Sequence, residues 1–215
     1  MRKILIAIPS MDMVAAGFAQ SLASLNKTDY CAVSFVCGSL IYDARNKLAA
    51  QAIKLEADYV MWFDSDMTFK PDTMLQLLKD IEQNECDIVS GLYCRRTRPY
   101  TPVAFSKFDI EAEDKTATFE DYKGELEGLH EVEGVGFGCV LMKSDVIFEM
   151  FSKYGDCFAP IGKAGEDLSF CWRARQLGYK MFLDADVKCG HIGYQEITQS
   201  FYEAFKENLE DESNS

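Results

Sequence analysis

From its amino terminus the chain alternates short apolar runs with longer stretches in which apolar residues recur every three or four positions. Lys3–Ile8, apolar from Ile4 onward, reads as a strand covered on both faces. Met13–Leu25 has helical spacing, and Ala32–Cys37, rich in valine and phenylalanine, reads as a second strand. Arg45–Glu56 predicts a helix with Leu48, Ala52 and Leu55 on one face. Tyr59–Phe63 is a third strand, and it runs directly into Asp64, Ser65 and Asp66. Pro71 suits the first turn of a helix whose stripe is Met74, Leu77, Leu78 and Ile81. Asp87–Leu92 supplies a fourth strand. Strand and helix in alternation predict an α/β fold with a mostly parallel, Rossmann-like central sheet and helices on both faces.

After about residue 95 the pattern shortens. Val103–Ser106, Ala117–Tyr122 and Leu129–Val132 read as brief strands around an acidic loop, Asp109–Lys115. Gly134–Gly138 leads into a strand at Cys139–Met142 and a helix from Ser144. Gly165 opens a helix over Glu166–Leu177, with strands at Lys180–Leu183 and Val187–Cys189 beyond it. No repeat or linker interrupts the chain. It therefore reads as one domain over 1–206, with halves at 1–95 and 96–206, and an acidic polar tail over 207–215.

Composition narrows the function classes. Lys and Arg number 22 against 35 Asp and Glu, a net charge of −13, so a nucleic-acid partner is not expected. A nucleotide remains compatible, because it needs only one local cationic pocket. The 8 cysteines are scattered, with no C-x-x-C pair, and several sit in apolar runs where free cysteine packs as a small hydrophobe. Pro9 and Asp12 interrupt the first apolar run, which argues against a secretion signal, and no run approaches the ~20 residues that span a bilayer. The expectation is a reduced, cytoplasmic protein without an integral membrane segment, with peripheral membrane contact left open. Oligomeric state leaves no mark in the sequence.

The turn after the first strand, PSMDMV, lacks G-x-G-x-x-G, and no G-x-x-x-x-G-K-[ST] occurs. Phosphate recognition must therefore use another device. VMWFDSDMTF offers one. Side chains alternate along an extended chain, so Asp64 and Asp66 can project to one side where the third strand ends. Ligands of open parallel sheets bind beyond the carboxyl ends of the strands. Two carboxylates there repel unless a cation lies between them, and oxygen ligands suit Mg2+ or Mn2+. A solvated acidic turn is the alternative.

With the other motifs in order, the chain resembles GT-A-fold glycosyltransferases, especially the family-two-like group. The elements are IPS after the first strand, ARN at Ala44–Asn46, DSD at Asp64–Asp66, GVGFG, GED at Gly165–Asp167 and GH at Gly190–His191. The resemblance implies a GT-A-type fold and transfer of a sugar from a nucleotide-sugar donor to a glycan, lipid-linked or protein hydroxyl. UDP is expected as the family's commonest nucleotide. It implies a divalent-metal-dependent enzyme, with Mn2+ or Mg2+ at Asp64 and Asp66 and His191 completing the shell. Asp64 then faces nucleotide and ribose, and Asp66 faces the metal. Pro9, Ser10, Asp43, Arg45, Asn46 and Ser65 are the implied nucleotide contacts. Asp167 is the implied base in an inverting displacement, with Glu166 orienting the acceptor. Gly136, Phe137, Gly138, Arg95 and Trp172 are placed near the donor sugar or acceptor.

Several of these positions carry ordinary alternatives. Asp43 and Asn46 suit helix caps, and Glu166 and Asp167 suit the positive end of a helix. The glycines can form a hairpin turn, His191 can simply end a strand, and Trp172 can be core. Arg95, Arg96 and Arg98 form a dense basic cluster in an acidic chain, suited to phosphate or to a solvated turn. DSDMT also fits the D-x-D-x-T of haloacid-dehalogenase-like phosphatases, although two strands precede it here and no second acidic metal motif matches. A nucleotidyltransferase would carry a basic glycine-rich loop where PSMDMV stands. A non-catalytic sugar-nucleotide or glycan-binding module is the remaining alternative.

Overall fold

A computed structural model of the chain describes residues 2–110, 116–194 and 199. The first half runs β1 (Lys3–Ser10), α1 (Ala16–Ser24), β2 (Tyr30–Cys37), α2 (Ile41–Lys54) and β3 (Tyr59–Phe63). It continues through β4 (Met67–Thr68), α3 (Thr73–Gln83) and β5 (Ile88–Leu92). The second half holds β6 (Ala104–Ile110), β7 (Ala117–Asp121), β8 (Leu129–Val132), β9 (Gly134–Val135) and β10 (Cys139–Lys143). It closes with α4 (Ser144–Tyr154), α5 (Glu166–Gln176), β11 (Met181–Lys188) and β12 (Gly190–His191).

Seven strands form the central sheet in the order β2-β1-β3-β10-β5-β11-β8. β1 lies parallel to β2 and β3, and β5 lies parallel to β11. β10 is antiparallel to both β3 and β5, and β8 is antiparallel to β11 at the edge. The architecture is therefore α/β of GT-A type: a mixed sheet whose parallel strands are split by one reversed strand.

Period two along β1 explains the layers. Ile4, Ile6 and Ile8 pack with Phe18 of α1 and with Met74, Leu77, Leu78 and Ile81 of α3. Leu5 and Ala7 face the other way, onto Leu48, Ala49 and Ala52 of α2 and the inner residues of α4 and α5. Burying one such aliphatic side chain contributes about 2 kcal/mol relative to leaving it in water.

Four expectations shift. α2 starts at Ile41, a turn before the predicted Arg45, so Asp43, Arg45 and Asn46 lie within its opening turns rather than ahead of it. Leu40 precedes the helix with no side-chain cap, so neither Asp43 nor Asn46 caps it. The two strands predicted at 180–183 and 187–189 are one, β11, whose pairing register with β5 slips between Asp184 and Lys188. Asp109 and Ile110 of the predicted acidic loop belong to β6, which pairs with β7 and β9 in a small second sheet. Residues 111–115 and the acidic tail 207–215 lie outside the described residues.

Candidate active site

β1 and β3 are parallel neighbours, so Ser10 and Asp64 emerge at the same end of the sheet. β10 runs back beside β3 and brings its first residues to that end, where the Asp64 amide donates to the Gly138 carbonyl at 3.1 Å. The strand ends, with the starts of α2 and α5, enclose a cavity of about 560 Å³. That volume suits a small-molecule ligand. Pro9, Ser10, Ser65 and Phe137 line it, as do the carboxylates of Asp64, Asp66, Glu166 and Asp167. Arg45, Arg95, Arg96 and His191 supply its cationic and imidazole groups.

Two carboxylate systems share this space. The deeper one is built on Arg45, whose side chain is only 3% exposed. Its Nη2 donates to Asp64 Oδ1 at 2.9 Å and its Nε to Glu166 Oε1 at 3.3 Å. Trp62, Phe137 and Phe158 surround the guanidinium, with ring centroids 5.9, 5.1 and 5.9 Å away. Burial works against the Arg45 charge, and Asp64 and Glu166 outweigh it. Burial also pushes the Asp64 carboxyl upward; Arg45 opposes that, while Asp66 and Glu166 reinforce it. Arg45 Nη1 is buried with no hydrogen-bond partner among the described residues.

The shallower system is built on Asp66. Arg96 Nη1 donates to Asp66 Oδ2 at 2.8 Å, and His191 Nε2 lies 3.5 Å from the same oxygen. His191 arrives through β12, which pairs with β4 so that His191 faces Met67, while the Ile192 amide donates to the Asp66 carbonyl at 2.8 Å. Burial raises the Asp66 carboxyl, but the His191 hydrogen bond and the charges of His191 and Arg96 hold it below its ordinary value. His191 is raised, chiefly by its hydrogen bond with Asp66.

The imidazole geometry tests whether a metal fits. Nδ1 lies 2.9 Å from the Cys94 carbonyl, which can only accept, so Nδ1 carries a proton. Nε2 faces Asp66 Oδ2: when protonated it bonds that carboxylate, and once that proton is lost the neutral imidazole presents a lone pair there. A backbone carbonyl that fixes the far nitrogen is the usual support of a metal-binding histidine. Asp66 and His191 therefore fit as two ligands of a divalent ion that takes its others from phosphate and water. Among the described residues no group of three His, Cys, Asp or Glu side chains is gathered for a metal. Asp64, predicted as a further ligand, has one oxygen engaged by Arg45.

Asp167 lines the same cavity from the start of α5. Its carboxyl is pushed up to about 6, first by burial and then by the neighbouring Glu166 charge. Oδ1 accepts from the Leu168 amide at 2.7 Å. That value suits a group that must be ionised, yet still basic, near neutral pH.

Other predicted residues are placed differently. Asn46 Oδ1 accepts from the amides of Cys157 and Phe158 at 3.2 and 3.0 Å, anchoring the segment after α4 instead of lining the cavity. Asp43 pairs with Lys47 one turn on, outside the lining. Trp172 donates from Nε1 to Asp109 Oδ1 at 3.1 Å and packs against the small cluster around Phe108. Gly136 and Gly138 lie under Tyr93, whose side chain a Cβ at either position would strike, so their smallness seats Tyr93. Arg95 reaches the cavity but is tied to Asp121 at 2.7 Å.

Tyr93 was not among the site residues read from the sequence, and Arg96 entered there only as a member of the Arg95, Arg96 and Arg98 cluster suited to phosphate. Tyr93 directly follows β5 and accepts the Gly138 amide at 3.1 Å. Its place one residue beyond a strand is the signal that also marked Asp64.

No curated protein matches the chain. The crystal structure of A197 from STIV is similar in fold, with a TM-score of 0.61 at 17% identity, covering 93% of this chain and 97% of that one. Among the described residues no helix is long and apolar enough to cross a membrane. Residues 20–147, more than half of the chain, match the family model for glycosyl transferase family 2, and the chain belongs to that family.

Proposed function

We propose that this glycosyltransferase binds a nucleotide-sugar donor, UDP being the expected nucleotide, with its diphosphate at Asp66 and His191. It passes the sugar to an acceptor hydroxyl with inversion. The observation that carries this reading is one cavity lined by four carboxylates, Asp64 and Asp66 from the segment after β3 and Glu166 and Asp167 from the start of α5. The half before residue 95, joined by His191, takes the donor, and the rest of the later half takes the acceptor, a glycan, lipid-linked sugar or protein.

Asp66 and His191 would hold Mn2+ or Mg2+, which when bound supplies positive charge against the departing nucleoside diphosphate. Asp64, fixed by Arg45, faces the ribose side. Asp167 accepts the acceptor's hydroxyl proton as the new bond to the anomeric carbon forms and the bond to the diphosphate oxygen breaks. Glu166, held by the same Arg45, orients the acceptor. Coupling both acidic pairs to one buried guanidinium keeps their spacing fixed, which is where positional catalysis gains most.

A phosphatase reading would make Asp64 a nucleophile after a first strand. Here it follows β3, and its Oδ1 is engaged by Arg45.

Calorimetric titration of UDP-, GDP- and dTDP-sugars, with Mn2+ and with EDTA, tests the donor site. One donor should bind with Mn2+ and lose binding in EDTA and in Asp66→Ala. No donor binding, with hydrolysis of a simple phosphate ester instead, would transfer the case to the phosphatase reading.

A further inference from the structure

We propose that Arg96 is a built-in counter-ion of Asp66: it fills the cation position of the free enzyme and yields it only to a metal arriving with the donor diphosphate. The inference rests on the reading that Asp66 and His191 hold a divalent ion, and it adds a rule for when they do.

Three observations lead to it. First, the Arg96 guanidinium touches the same Asp66 oxygen that faces His191 Nε2, at 2.8 Å against 3.5 Å. A divalent ion and a guanidinium cannot share that oxygen without strong repulsion. Second, Arg96 is placed by the strip that carries the histidine. Its aliphatic stem lies along Gly193, where an added Cβ would meet Arg96 Cδ at 3.2 Å and Cγ at 3.3 Å. Third, the Arg96 side chain is 51% exposed, whereas Arg45 on Asp64 is 3% exposed. An exposed ion pair is weak and easily exchanged; a buried one is not.

The neighbouring cations cannot take this part. Arg95 is held by Asp121 at 2.7 Å and lies over the Phe105 ring, and Arg45 is committed to Asp64 and Glu166. Of the three arginines that line the cavity among the described residues, Arg96 is the one whose partner the donor can replace. A guanidinium matches a phosphate at least as well as a carboxylate. The diphosphate thus offers Arg96 a new anion at the moment the metal needs the old one. Metal and nucleotide then favour each other's binding, and by linkage the preference is reciprocal. The free enzyme is spared a tightly held metal without substrate, and an open Asp66–His191 pair is never left without positive charge.

Mn2+ binding followed by electron paramagnetic resonance of the free ion reads this without any turnover. The wild-type protein should bind Mn2+ weakly alone and at least about tenfold more tightly with UDP, GDP or dTDP, within the usual range of coupling between two sites. Arg96→Ala should bind Mn2+ alone at least about tenfold more tightly than wild type and show little further gain from nucleotide. Arg96→Lys, which keeps the charge, should return toward wild type, an outcome a purely steric role would not give. The proposal is overturned if Arg96→Ala binds Mn2+ alone no better than wild type, or if wild type binds it equally with and without nucleotide. Either result leaves the metal reading standing. Absence of Mn2+ binding in every protein, with or without nucleotide, removes the Asp66–His191 metal site itself and the Arg96 proposal with it.

Discussion

Asp64 and Asp66 stand two residues apart, each paired with an arginine, yet their surroundings make them different chemical groups. Arg45 lies in an aromatic box beneath the cavity, and it fixes Asp64 to Glu166 across 102 positions of sequence, from 64 to 166. Arg96 lies at the rim and holds Asp66 in a pair that water screens. Burial pushes the Asp64 carboxyl up, while His191 and Arg96 hold that of Asp66 down. The lesson is that the same ion pair serves as scaffold when buried and as an exchangeable contact when exposed. The two carboxylates share a cavity but not a task.

Removing each arginine's or aspartate's contribution in turn separates the two systems. The largest stability effect is expected at Arg45→Ala, which strands Asp64 and Glu166 and empties the space between three rings. A loss of about 3 kcal/mol, the lower end for breaking a buried pair, should appear in urea denaturation. Asp66→Ala should change stability by less than about 0.5 kcal/mol in the same experiment, as exposed pairs do. Its donor affinity should nevertheless fall by about 100-fold or more, since even an outer partner of a metal ligand can cost that much. If both substitutions destabilise alike, the contrast between scaffold and exchangeable contact is wrong.

A subtler division concerns pH. Asp167 is raised to about 6, so it is ionised and able to accept a proton above that pH and is silenced below it. The kcat/KM for donor consumption should fall about tenfold per pH unit below about 6 and level off above it. A flat profile from pH 4.5 to 7 would remove Asp167 as the base.

The smallest effect lies outside the cavity. Asp80 of α3 is raised to about 7, by burial first and then by the neighbouring Asp184 carboxyl of β11. The Lys79 charge opposes this without overcoming it, so the pair is a counterpart to the arginine-held Asp64 and Asp66. A folded value above the unfolded one means the pair's contribution is complete below about pH 4 and lost as pH rises through 7. Asp80→Asn should therefore stabilise the protein at pH 8 and leave it unchanged at pH 4. Because Asp80 is only half-buried, the gain should be about 1 kcal/mol after allowing for solvent screening. Equal effects at both pH values would show that the carboxyl pair has no strained charge.

Much of this was legible in the sequence because it is local. The continuous apolar run of β1 announced a strand covered on both faces, and the stripe of α3 announced a helix packed on one side. The DSD segment was placed correctly at the end of β3 because strand and carboxylates are contiguous. What escaped is tertiary. Arg45 reads as a polar helix position, and nothing near it in sequence reveals the box made by Trp62, Phe137 and Phe158. Of three clustered arginines, only the fold shows that Arg95 is tied to Asp121 while Arg96 reaches Asp66. β4 and β12 are two residues each, too short for any periodicity, yet their pairing sets His191 beside Asp66. The reversed β10 could not be foreseen because its neighbours β3 and β5 both precede it by more than 45 residues, from Leu92 to Cys139. The engagement of Asn46 with the segment after α4 was also out of reach, because nothing near it in sequence reveals the Cys157 and Phe158 amides from which it accepts.

The central claim is that one carboxylate pair of the cavity holds the donor and the other removes the acceptor's proton. Nucleoside diphosphate release from a bound donor, with water as acceptor, measured in Asp167→Asn beside its donor affinity, tests it most directly. The account predicts a donor affinity within about twofold of wild type and a release rate lower by roughly 10²- to 10⁴-fold, the usual worth of a general base. An unchanged release rate, or a donor affinity that collapses with it, would contradict the division of labour between the two pairs.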